Sequence, residues 1–382
     1  MSKAQFFIGI MSGTSLDGID IALCDLSDAK CIVVATHFLA YPPALKTQLL
    51  QLHTPRENEL ETTALIANKL AFLYAEAVNA LLIKQNMTPN AITAIGCHGQ
   101  TIRHRPELGF TLQIGNAALL AELTNICVVS DFRSRDIAAG GQGAPLVPAF
   151  HQAVFGSQQH NLALINIGGI ANITYLAKNA DDFTIQNGLK SGQILGFDSG
   201  PGNMLLDAWV KQHLGKDYDA DGAWAASGQV IQLLLTQMLA EPFFTLPPPK
   251  STGRDLFNDA WLALHLNNQH YLPQDVAHTL VALTARTIFD ALARYCGDVN
   301  ALYLCGGGAH NTLLIQHLTE LLANHQLKAT LKTTADLGVG VDWVEAAAFA
   351  WLAKQCIDNQ SGNLPSVTGA KGLRVLGAIY PA

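Results

Sequence analysis

The chain has 382 residues, of which 49% are hydrophobic and 14% are charged, which indicates a globular protein with room for two domains and excludes a disordered chain. The formal net charge of −7, without any cluster of Lys or Arg, argues against a nucleic-acid surface and favours a small partner. The longest uninterrupted apolar stretch, residues 346–353, is far shorter than the roughly 20 residues of a membrane span, so no membrane association is expected.

The seven cysteines are scattered and include no C-x-x-C pair. Most of them stand in apolar segments, which is typical of reduced thiols in a cytoplasmic protein. The opening residues, "MSKAQFFIGIMSG", carry one lysine and predict the first strand of a fold, not a secretory signal.

The first part of the chain alternates predicted strands and helices. Strands are predicted over residues 6–11 and 18–26, and a long helix over residues 58–86, with Asn58 as its cap and Glu61 three residues later. The strand "AITAIGC" then leads into "HGQTIRH", followed by "FTLQIG", a short helix from Asn116 and the strand "ICVVSDF". This alternation indicates an α/β sheet.

The second part repeats the design of the opening. "GGQGAPLVPAF" predicts a domain crossing, and residues 161–176 then give an apolar strand, a glycine turn and a second apolar strand, as residues 6–26 do. A strand, turn and helix ended by Gly215 follow, and later "ALYLCGGGAHNTLLIQHL" predicts a strand, three glycines and a helix. The repetition favours a duplicated domain over a solenoid.

Three glycine turns each follow a predicted strand: Gly13–Gly18, Gly168–Gly169 and Gly306–Gly308. One such turn alone is explained by backbone geometry. Three together predict a phosphate site made of backbone N–H groups, with hydroxyls from Thr14 and Ser15 and an amide from Asn172. The third turn would leave space for adenine and ribose. The lysine of a P-loop is missing.

This arrangement resembles the acetate and sugar kinase/heat-shock/actin superfamily. Within it, the chain resembles the anhydro-N-acetylmuramic acid kinase family through several blocks that run from residue 8 to residue 353. These blocks are "GIMSGTSLDGID", "HGQTIRH", "DFRSRDIAAGGQGAPLVPAFH", "NIGGIANIT", "GFDSGPGN", "PPPKSTGRDLFN" and "VEAAAFAWLA".

The resemblance implies an α/β fold of two duplicated ribonuclease H-like (actin-like ATPase) domains with an ATP cleft between them. The first domain would comprise residues 1–137 plus 343–382, and the second residues 138–342. The family also suggests a homodimer, although no stretch of the sequence shows one.

The resemblance implies that the first glycine turn holds the ATP phosphates with Mg²⁺, and the other two turns complete the nucleotide site. Many superfamily members carry an aspartate in the first strand, but "FFIGIM" has none, so the metal ligands are unknown. The expected ATP-binding residues are Gly13, Thr14, Ser15, Leu16, Asp17, Gly18, Ile19, Asp20, Gly168, Gly169, Asn172, Gly306, Gly307 and Gly308.

Asp198 ends the strand "QILGF", and the glycines of "SGPGN" leave space beside it. An acid in this position is either a turn or cap residue or points into the ligand crevice of an α/β fold. The resemblance matches it to the family's general base, so Asp198 is the predicted catalytic residue.

His98, Gln100, Arg133 and Glu345 are the predicted substrate-binding residues. His98 and Gln100 follow a strand, where a histidine is also commonly a packed, hydrogen-bonded residue. Arg133 suits a substrate carboxylate, or else a salt bridge to Asp131 or Asp136. Glu345 either favours the start of its helix or, by the family pattern, contacts the sugar.

The implied reaction is that of an ATP-dependent phosphotransferase in cell-wall murein (peptidoglycan) recycling. The enzyme would open the anhydro ring of 1,6-anhydro-N-acetylmuramic acid with water and phosphorylate O6, giving N-acetylmuramic acid 6-phosphate and ADP. Two alternatives remain open: a plain sugar kinase that acts on a free hydroxyl, and a non-metabolic actin-like or chaperone-like ATPase.

Overall fold

A computed structural model describes residues 4–13, 15–28, 30–55, 57–178, 194–267, 269–325 and 327–382. The chain divides into two compact units, residues 1–155 with 343–382 and residues 156–342. The strands are β1 (Phe6–Ser12), β2 (Gly18–Asp25), β3 (Ile32–Ala40), β4 (Ile92–Arg105), β5 (Phe110–Ile114), β6 (Val128–Ser130), β7 (Leu162–Ile167), β8 (Ile170–Leu176), β9 (Ile194–Pro201), β10 (Ala301–Cys305), β11 (Thr330–Thr333) and β12 (Ala378–Tyr380). The helices are α1 (Pro43–Leu52), α2 (Glu59–Lys84), α3 (Ala117–Thr124), α4 (Ser134–Ala138), α5 (Val147–Phe155), α6 (Met204–Leu214), α7 (Gln232–Leu239), α8 (Asp259–Leu266), α9 (Pro273–Tyr295), α10 (Thr312–Asn324), α11 (Val344–Ile357) and α12 (Pro365–Thr368).

The first unit is built on a sheet of order β12-β6-β4-β1-β2-β3, with β5 paired to β4. Strands β1, β2 and β3 form an antiparallel meander, whereas β1, β4 and β6 are parallel. Helix α11 lies directly on this sheet, because Gly9 and Gly96 have no side chain there. A Cβ on Gly9 would come within 1.7 Å of the Ala346 carbonyl oxygen, and one on Gly96 within 2.0 Å of that of Phe349.

The second unit has a sheet of order β11-β10-β7-β8-β9. Strands β7, β8 and β9 are antiparallel, and β7, β10 and β11 are parallel. The β6-β4-β1-β2-β3 part of the first sheet has the same order and the same strand directions. This repetition confirms the predicted α/β fold of two duplicated ribonuclease H-like domains.

The predicted long helix and the capped short helix are confirmed as α2 and α3, and Gly215 ends α6 with a φ of 68°. Asn116 caps α3 as its Oδ1 accepts from the Leu119 N–H at 3.0 Å. Asn58 is the N-cap residue of α2, as predicted, but its side chain makes no capping hydrogen bond. Its backbone is left-handed (φ 53°), and its amide donates to Glu61 Oε2 at 3.1 Å instead of accepting from the helix.

The first unit extends to Phe155, beyond the predicted boundary at residues 137/138. The reason is α5, which packs against α11 through Phe150 and Trp351, whose ring centroids are 6.2 Å apart. The return of the chain to the first unit at residue 343 coincides with the start of α11.

Helices α2 and α9 are long and apolar enough to cross a membrane by length and composition alone. In the described structure, residues of both helices lie in the hydrophobic cores of their units, α2 through Leu70 and Tyr74 and α9 through Val281 and Ile288. Core helices of water-soluble domains meet the same criteria, so this finding is weak evidence for a membrane span.

Candidate active site

The glycine turn of the first unit joins β1 to β2 and is stabilised by hydrogen bonds from buried side chains. Gln100 Nε2 donates to the Gly13 carbonyl at 3.1 Å, and Tyr41 Oη donates to Gln100 Oε1 at 3.3 Å. Ser12 Oγ donates to the Gly99 carbonyl at 3.0 Å and lies 2.9 Å from Tyr74 Oη. Gln100 is fully buried. Its observed contacts therefore position the turn.

The side chains of this turn differ in their surroundings. Leu16 and Ile19 are buried in the hydrophobic core, so only their backbone groups remain to contact a ligand. Ser15 is exposed, Asp20 is half-buried, and exposed Asp17 has Lys46 Nζ 3.7 Å from its Oδ1. Thr14 lies outside the described residues.

The glycines of the turn have different roles. A Cβ on Gly18 would come within 2.4 Å of the Leu39 carbonyl oxygen, so this glycine is required by packing against β3. At Gly13 the nearest atom given for such a Cβ is Ser15 Oγ, at 3.5 Å. A Cβ at Gly13 would make only an ordinary van der Waals contact, so packing among the described residues does not require glycine at this position.

The corresponding turn of the second unit, Gly168–Gly169, is pinned by the start of α6. The N–H groups of Gly202 and Met204 donate to the Gly169 carbonyl at 2.9 and 3.1 Å, and that of Asn203 donates to the Gly168 carbonyl at 2.8 Å. A Cβ on Gly168 or Gly169 would still meet nothing nearer than 3.8 or 3.7 Å among the described residues. The turn is thus fixed in position, and packing among the described residues does not require glycine at either position.

The three consecutive glycines after β10 are not equivalent. Gly306 has a φ of 78°, and its Cβ would come within 2.3 Å of Asn166 Oδ1. A Cβ on Gly308 would come within 2.3 Å of Ile167 Cγ2, whereas on Gly307 the nearest neighbour would be Asn203 Nδ2 at 3.8 Å. Gly306 and Gly308 are therefore required by the fold, and Gly307 is the position with space for a ligand.

A row of polar residues crosses the sheet beside these turns. Asn166 in β7 pairs with Asn172 in β8, which in turn pairs with Asp198 in β9. Directly paired residues of antiparallel strands point to the same face of a sheet, and all three are half-buried. The row provides two amides and one carboxylate on one face of the sheet, and Asn166 lies beside the Gly306 backbone.

Asp198 has two distinct carboxylate oxygens. Its Oδ2 accepts from Ser251 Oγ and from the Thr252 N–H, both at 2.9 Å. In the described part of the chain no hydrogen bond is made to Oδ1. Burial raises the pKa of Asp198, and the bonds from Thr252 and Ser251 and the charge of Lys250 oppose that rise. One oxygen is thus held while the other is available to accept a proton.

In the first unit, Arg133 donates from Nε and Nη2 to a single atom, His98 Nε2, at 3.2 and 2.9 Å, and from Nη1 to the Gly143 carbonyl at 2.8 Å. His98 is buried against Phe349, with ring centroids 4.7 Å apart. Burial and the Arg133 charge hold the pKa of His98 well below its usual range, so the imidazole is neutral.

The loop that presents Gly143 is organised by Asp136, which is fully buried. Its Oδ2 accepts from the Gly143 N–H at 2.8 Å, and its Oδ1 accepts from Asn363 Nδ2 at 2.7 Å and Thr368 Oγ1 at 2.8 Å. Asp136 therefore positions Gly143, whose carbonyl accepts from Arg133. The hydrogen bonds of Arg133 go to His98 and Gly143 and not to the acids beside it in sequence.

Glu345 lies in the first turn of α11 and is half-buried. Burial raises its pKa, and the Arg133 charge opposes the rise. Burial also lowers the pKa of Arg133 to about 10, and the charges of Glu345 and Asp136 oppose this effect. Glu345 and Arg133 thus form an electrostatically coupled pair within the first unit.

The sequence of the whole chain decides its family. The sequence profile described as anhydro-N-acetylmuramic acid kinase matches residues 5–382. The chain belongs to the anhydro-N-acetylmuramic acid kinase family. Anhydro-N-acetylmuramic acid kinases of Nitrosospira multiformis and Nitrosomonas europaea are 51% and 52% identical to it, over 100% and 99% of this chain and 100% of each relative.

Among solved structures, the activator of the 2-hydroxyisocaproyl-CoA dehydratase from Clostridium difficile with bound ADPNP is similar, with a TM-score of 0.47 and 11% identity. The similarity covers 93% of this chain and 98% of that one. The kinase family, rather than this distant likeness, carries the functional argument.

In the first unit Arg133 is bonded to His98 and influenced by the charge of Glu345, whereas Gln100 contacts the Gly13 turn. In the second unit Asn172 and Asp198 are paired on adjacent strands. Sequence reasoning missed Asn166 and Ser251. The signal for Asn166 was its place at the end of a strand just before Gly168–Gly169. Ser251 lies in the block "PPPKSTGRDLFN", but its contact with Asp198 spans 53 positions and has no local pattern.

The described residues contain no group of three or more His, Cys, Asp or Glu side chains able to hold a metal ion. A Mg²⁺ ion in a kinase usually keeps several waters and takes only one or two carboxylates beside the substrate phosphates. Such an ion therefore needs fewer than three protein carboxylates.

Proposed function

We propose that this protein opens the 1,6-anhydro ring of 1,6-anhydro-N-acetylmuramic acid with water and transfers the γ-phosphoryl group of ATP to O6. The products are N-acetylmuramic acid 6-phosphate and ADP, as in murein recycling. About half of the residues are identical to those of named anhydro-N-acetylmuramic acid kinases over their full length, which supports the assignment of this substrate. The observation that carries the mechanism is the carboxylate of Asp198, held through Oδ2 and free at Oδ1 within the described residues.

The anhydro substrate requires a base that acts on water, because its O6 carries no proton. Asp198 Oδ1 takes a proton from the water as the water oxygen bonds to C1. The C1–O6 bond breaks, and O6 accepts the γ-phosphoryl group while ADP leaves. A positioned base of this kind contributes about 10²–10⁴ in rate. Two oxygens of the product thus have different origins, water for C1 and substrate for O6.

ATP phosphates are bound by backbone N–H groups of the two glycine turns, Gly13–Gly18 and Gly168–Gly169, assisted by Asn172. Gly307 provides the space for the nucleoside. Mg²⁺ supplies charge neutralisation at the phosphates when it is bound. Most of the remaining acceleration comes from alignment and from the fixed backbone dipoles.

Arg133 binds the substrate carboxylate, since its guanidinium keeps N–H groups beyond those that contact His98 and Gly143. Glu345 accepts a hydrogen bond from the sugar. His98 and Gln100 are positioning residues: His98 orients the Arg133 guanidinium, and Gln100 holds the glycine turn through the Gly13 carbonyl. The homodimeric state and the cytoplasmic location stay predictions.

The test is turnover in ¹⁸O-labelled water. We expect the label at C1 of the product and none at O6. Asp198→Asn should lose several orders of magnitude in kcat yet still bind ATP and the anhydro sugar. Asp217→Asn, a change at an exposed acid paired with Lys211, is the matched control and should leave kcat unchanged. A preference for free N-acetylmuramic acid, or product without label at C1, would identify a plain sugar kinase instead.

A further inference from the structure

A segment far from Asp198 in the sequence encloses this residue. The Asp198 N–H donates to the Lys250 carbonyl at 3.0 Å, and Ser251 Oγ and the Thr252 N–H both donate to Asp198 Oδ2 at 2.9 Å. Three consecutive residues therefore fix both the backbone and the carboxylate of Asp198. A β-strand alone would leave the carboxylate free to rotate about χ2.

The Lys250 side chain anchors this segment to the hydrophobic core. Its Nζ donates to the carbonyls of Phe243 and Phe244 at 3.1 and 3.4 Å and lies 4.5 Å from the centroid of the Phe243 ring. Phe243 is buried, and Phe244 stacks on buried Phe257 at 5.6 Å. All of these bonds lie inside the second unit. The ammonium of Lys250 is thus committed to the protein itself.

We propose that Ser251 and Lys250 are positioning residues of the catalytic base: Ser251 orients the Asp198 carboxylate so that Oδ1 faces the water, and Lys250 holds Ser251 in place. This inference rests on the proposed function of Asp198. Lys250 thereby acts as an anchor, because its ammonium is bonded to the carbonyls of Phe243 and Phe244.

The chemistry of the two donors has a measurable consequence. Hydrogen bonds to a carboxylate stabilise its charged form, so Ser251 and Thr252 keep Asp198 ionised against the effect of burial. Removal of the Ser251 hydroxyl should raise the pKa of Asp198, and the base would then be protonated at a higher pH. A residue with a merely structural role would not move this pKa.

The charged groups that influence Lys250 are Asp198, which raises its pKa, and Arg294, which lowers it. Burial is the largest cause and brings the pKa of Lys250 to about 8. Arg294 lies over the Tyr295 ring, and Tyr295 Oη donates to the Leu246 carbonyl in the same segment. Glu241, at the start of the turn that contains Phe243, accepts a hydrogen bond from Trp261 Nε1 at 2.9 Å.

The first experiment compares the pH dependence of kcat/KM in wild-type protein, Ser251→Ala and Ser251→Thr. We expect Ser251→Ala to move the acidic limb upward by about half a unit to one unit, as the loss of one hydrogen bond implies, at an unchanged KM for ATP. Ser251→Thr keeps the hydroxyl and should restore the wild-type profile. Ser227→Ala, which removes an exposed hydroxyl bonded to the Trp224 carbonyl, is the control. An unshifted acidic limb in a folded Ser251→Ala protein overturns the assignment of Ser251.

The second experiment replaces Lys250 with Met, which keeps the apolar stem and removes the donor. We expect kcat to fall about 10- to 100-fold, as for a base displaced by a fraction of an ångström, with little change in the KM for ATP. A higher KM for ATP at an unchanged kcat would make Lys250 a phosphate ligand and overturn the anchor role. The Asp198→Asn variant separates the proposed function of Asp198 from the positioning role of Ser251 and Lys250. If that variant stays active, the proposed function fails; if it is inactive while Ser251→Ala and Lys250→Met behave as wild type, only this inference fails.

Discussion

Arg133 donates two hydrogen bonds to one nitrogen of His98, and this contact decides the state of both residues. A ring nitrogen that accepts from a guanidinium carries no proton, so His98 Nε2 cannot also donate to a ligand. His98 Nδ1 is buried and has no hydrogen-bond partner among the described residues. The guanidinium is therefore the group of this pair best suited to reach the substrate.

We expect Arg133→Lys to raise the KM for the anhydro sugar about 10- to 100-fold and to leave the KM for ATP unchanged. Lysine keeps the charge but cannot donate to His98, to the Gly143 carbonyl and to a carboxylate in one plane. Steady-state kinetics with each substrate varied in turn measures the effect. Arg135→Lys, two positions further at an exposed site, is the control. A larger effect on ATP than on sugar would place Arg133 at the nucleotide.

Asp136→Asn should lower the free energy of unfolding by at least about 2 kcal/mol, because one amide oxygen cannot replace two carboxylate oxygens that accept three hydrogen bonds. The KM for the sugar should rise as well, since the Gly143 loop holds Arg133. Urea unfolding and kinetics check the two effects. Asp131→Asn changes an exposed acid that is bonded to Ser134 Oγ and should have neither effect. An Asp136→Asn protein of wild-type stability would contradict the buried network.

His151 gives the chain a predictable sensitivity to acid. It is buried between Phe150 and Phe155, and burial lowers its pKa to about 3. In the unfolded chain its pKa is about 6.5. Below that value the unfolded state binds a proton that the folded state excludes. Stability therefore falls as pH decreases from about 6.5 toward 3, by about 1.4 kcal/mol per unit for this group.

We expect His151→Phe to reduce the slope of unfolding free energy against pH between pH 6 and 4.5 by about one proton equivalent. Urea unfolding at several pH values gives the slope. His160→Asn, at an exposed position, should keep the wild-type slope. Parallel curves for wild type and His151→Phe would mean that His151 is protonated in the folded state.

The sequence was sufficient for the fold, because strand and helix patterns are local and the family resemblance spans the chain. The location of the site stays a prediction. Strand periodicity, helix caps and the glycine turns predicted the elements, and the repeated design of residues 6–26 and 161–176 predicted the duplication. It was insufficient for roles that depend on distant partners. The sequence predicts Gln100 as a substrate-binding residue that follows a strand, but Gln100 lies within β4 and its amide donates to the Gly13 carbonyl. Ser251 and Asp136 gain their meaning only from contacts across the chain.

The roles of the three glycines after β10 also depend on distant contacts, and substitutions can separate glycines required for packing from those that contact ATP. We expect Gly306→Ala and Gly308→Ala to lower the melting temperature, because a methyl group would collide with Asn166 and Ile167 and because Gly306 has a left-handed backbone. Gly307→Ala should fold normally, since the nearest described atom would be 3.8 Å from the added Cβ. Gly169→Val should fold normally as well, because Gly169 is exposed and its Cβ would meet Met204 Cβ only at 3.7 Å. If ATP approaches the backbone there, calorimetry will show weaker ATP binding for these two variants at an unchanged melting temperature.

Gly215→Ala, at the end of α6 where a Cβ meets nothing within 4 Å, controls for backbone strain alone, since its φ is 68°. Wild-type ATP affinity in folded Gly169→Val and Gly307→Ala proteins would remove both turns from the nucleotide site and leave the first unit's turn, with Gln100 behind it, as the remaining candidate.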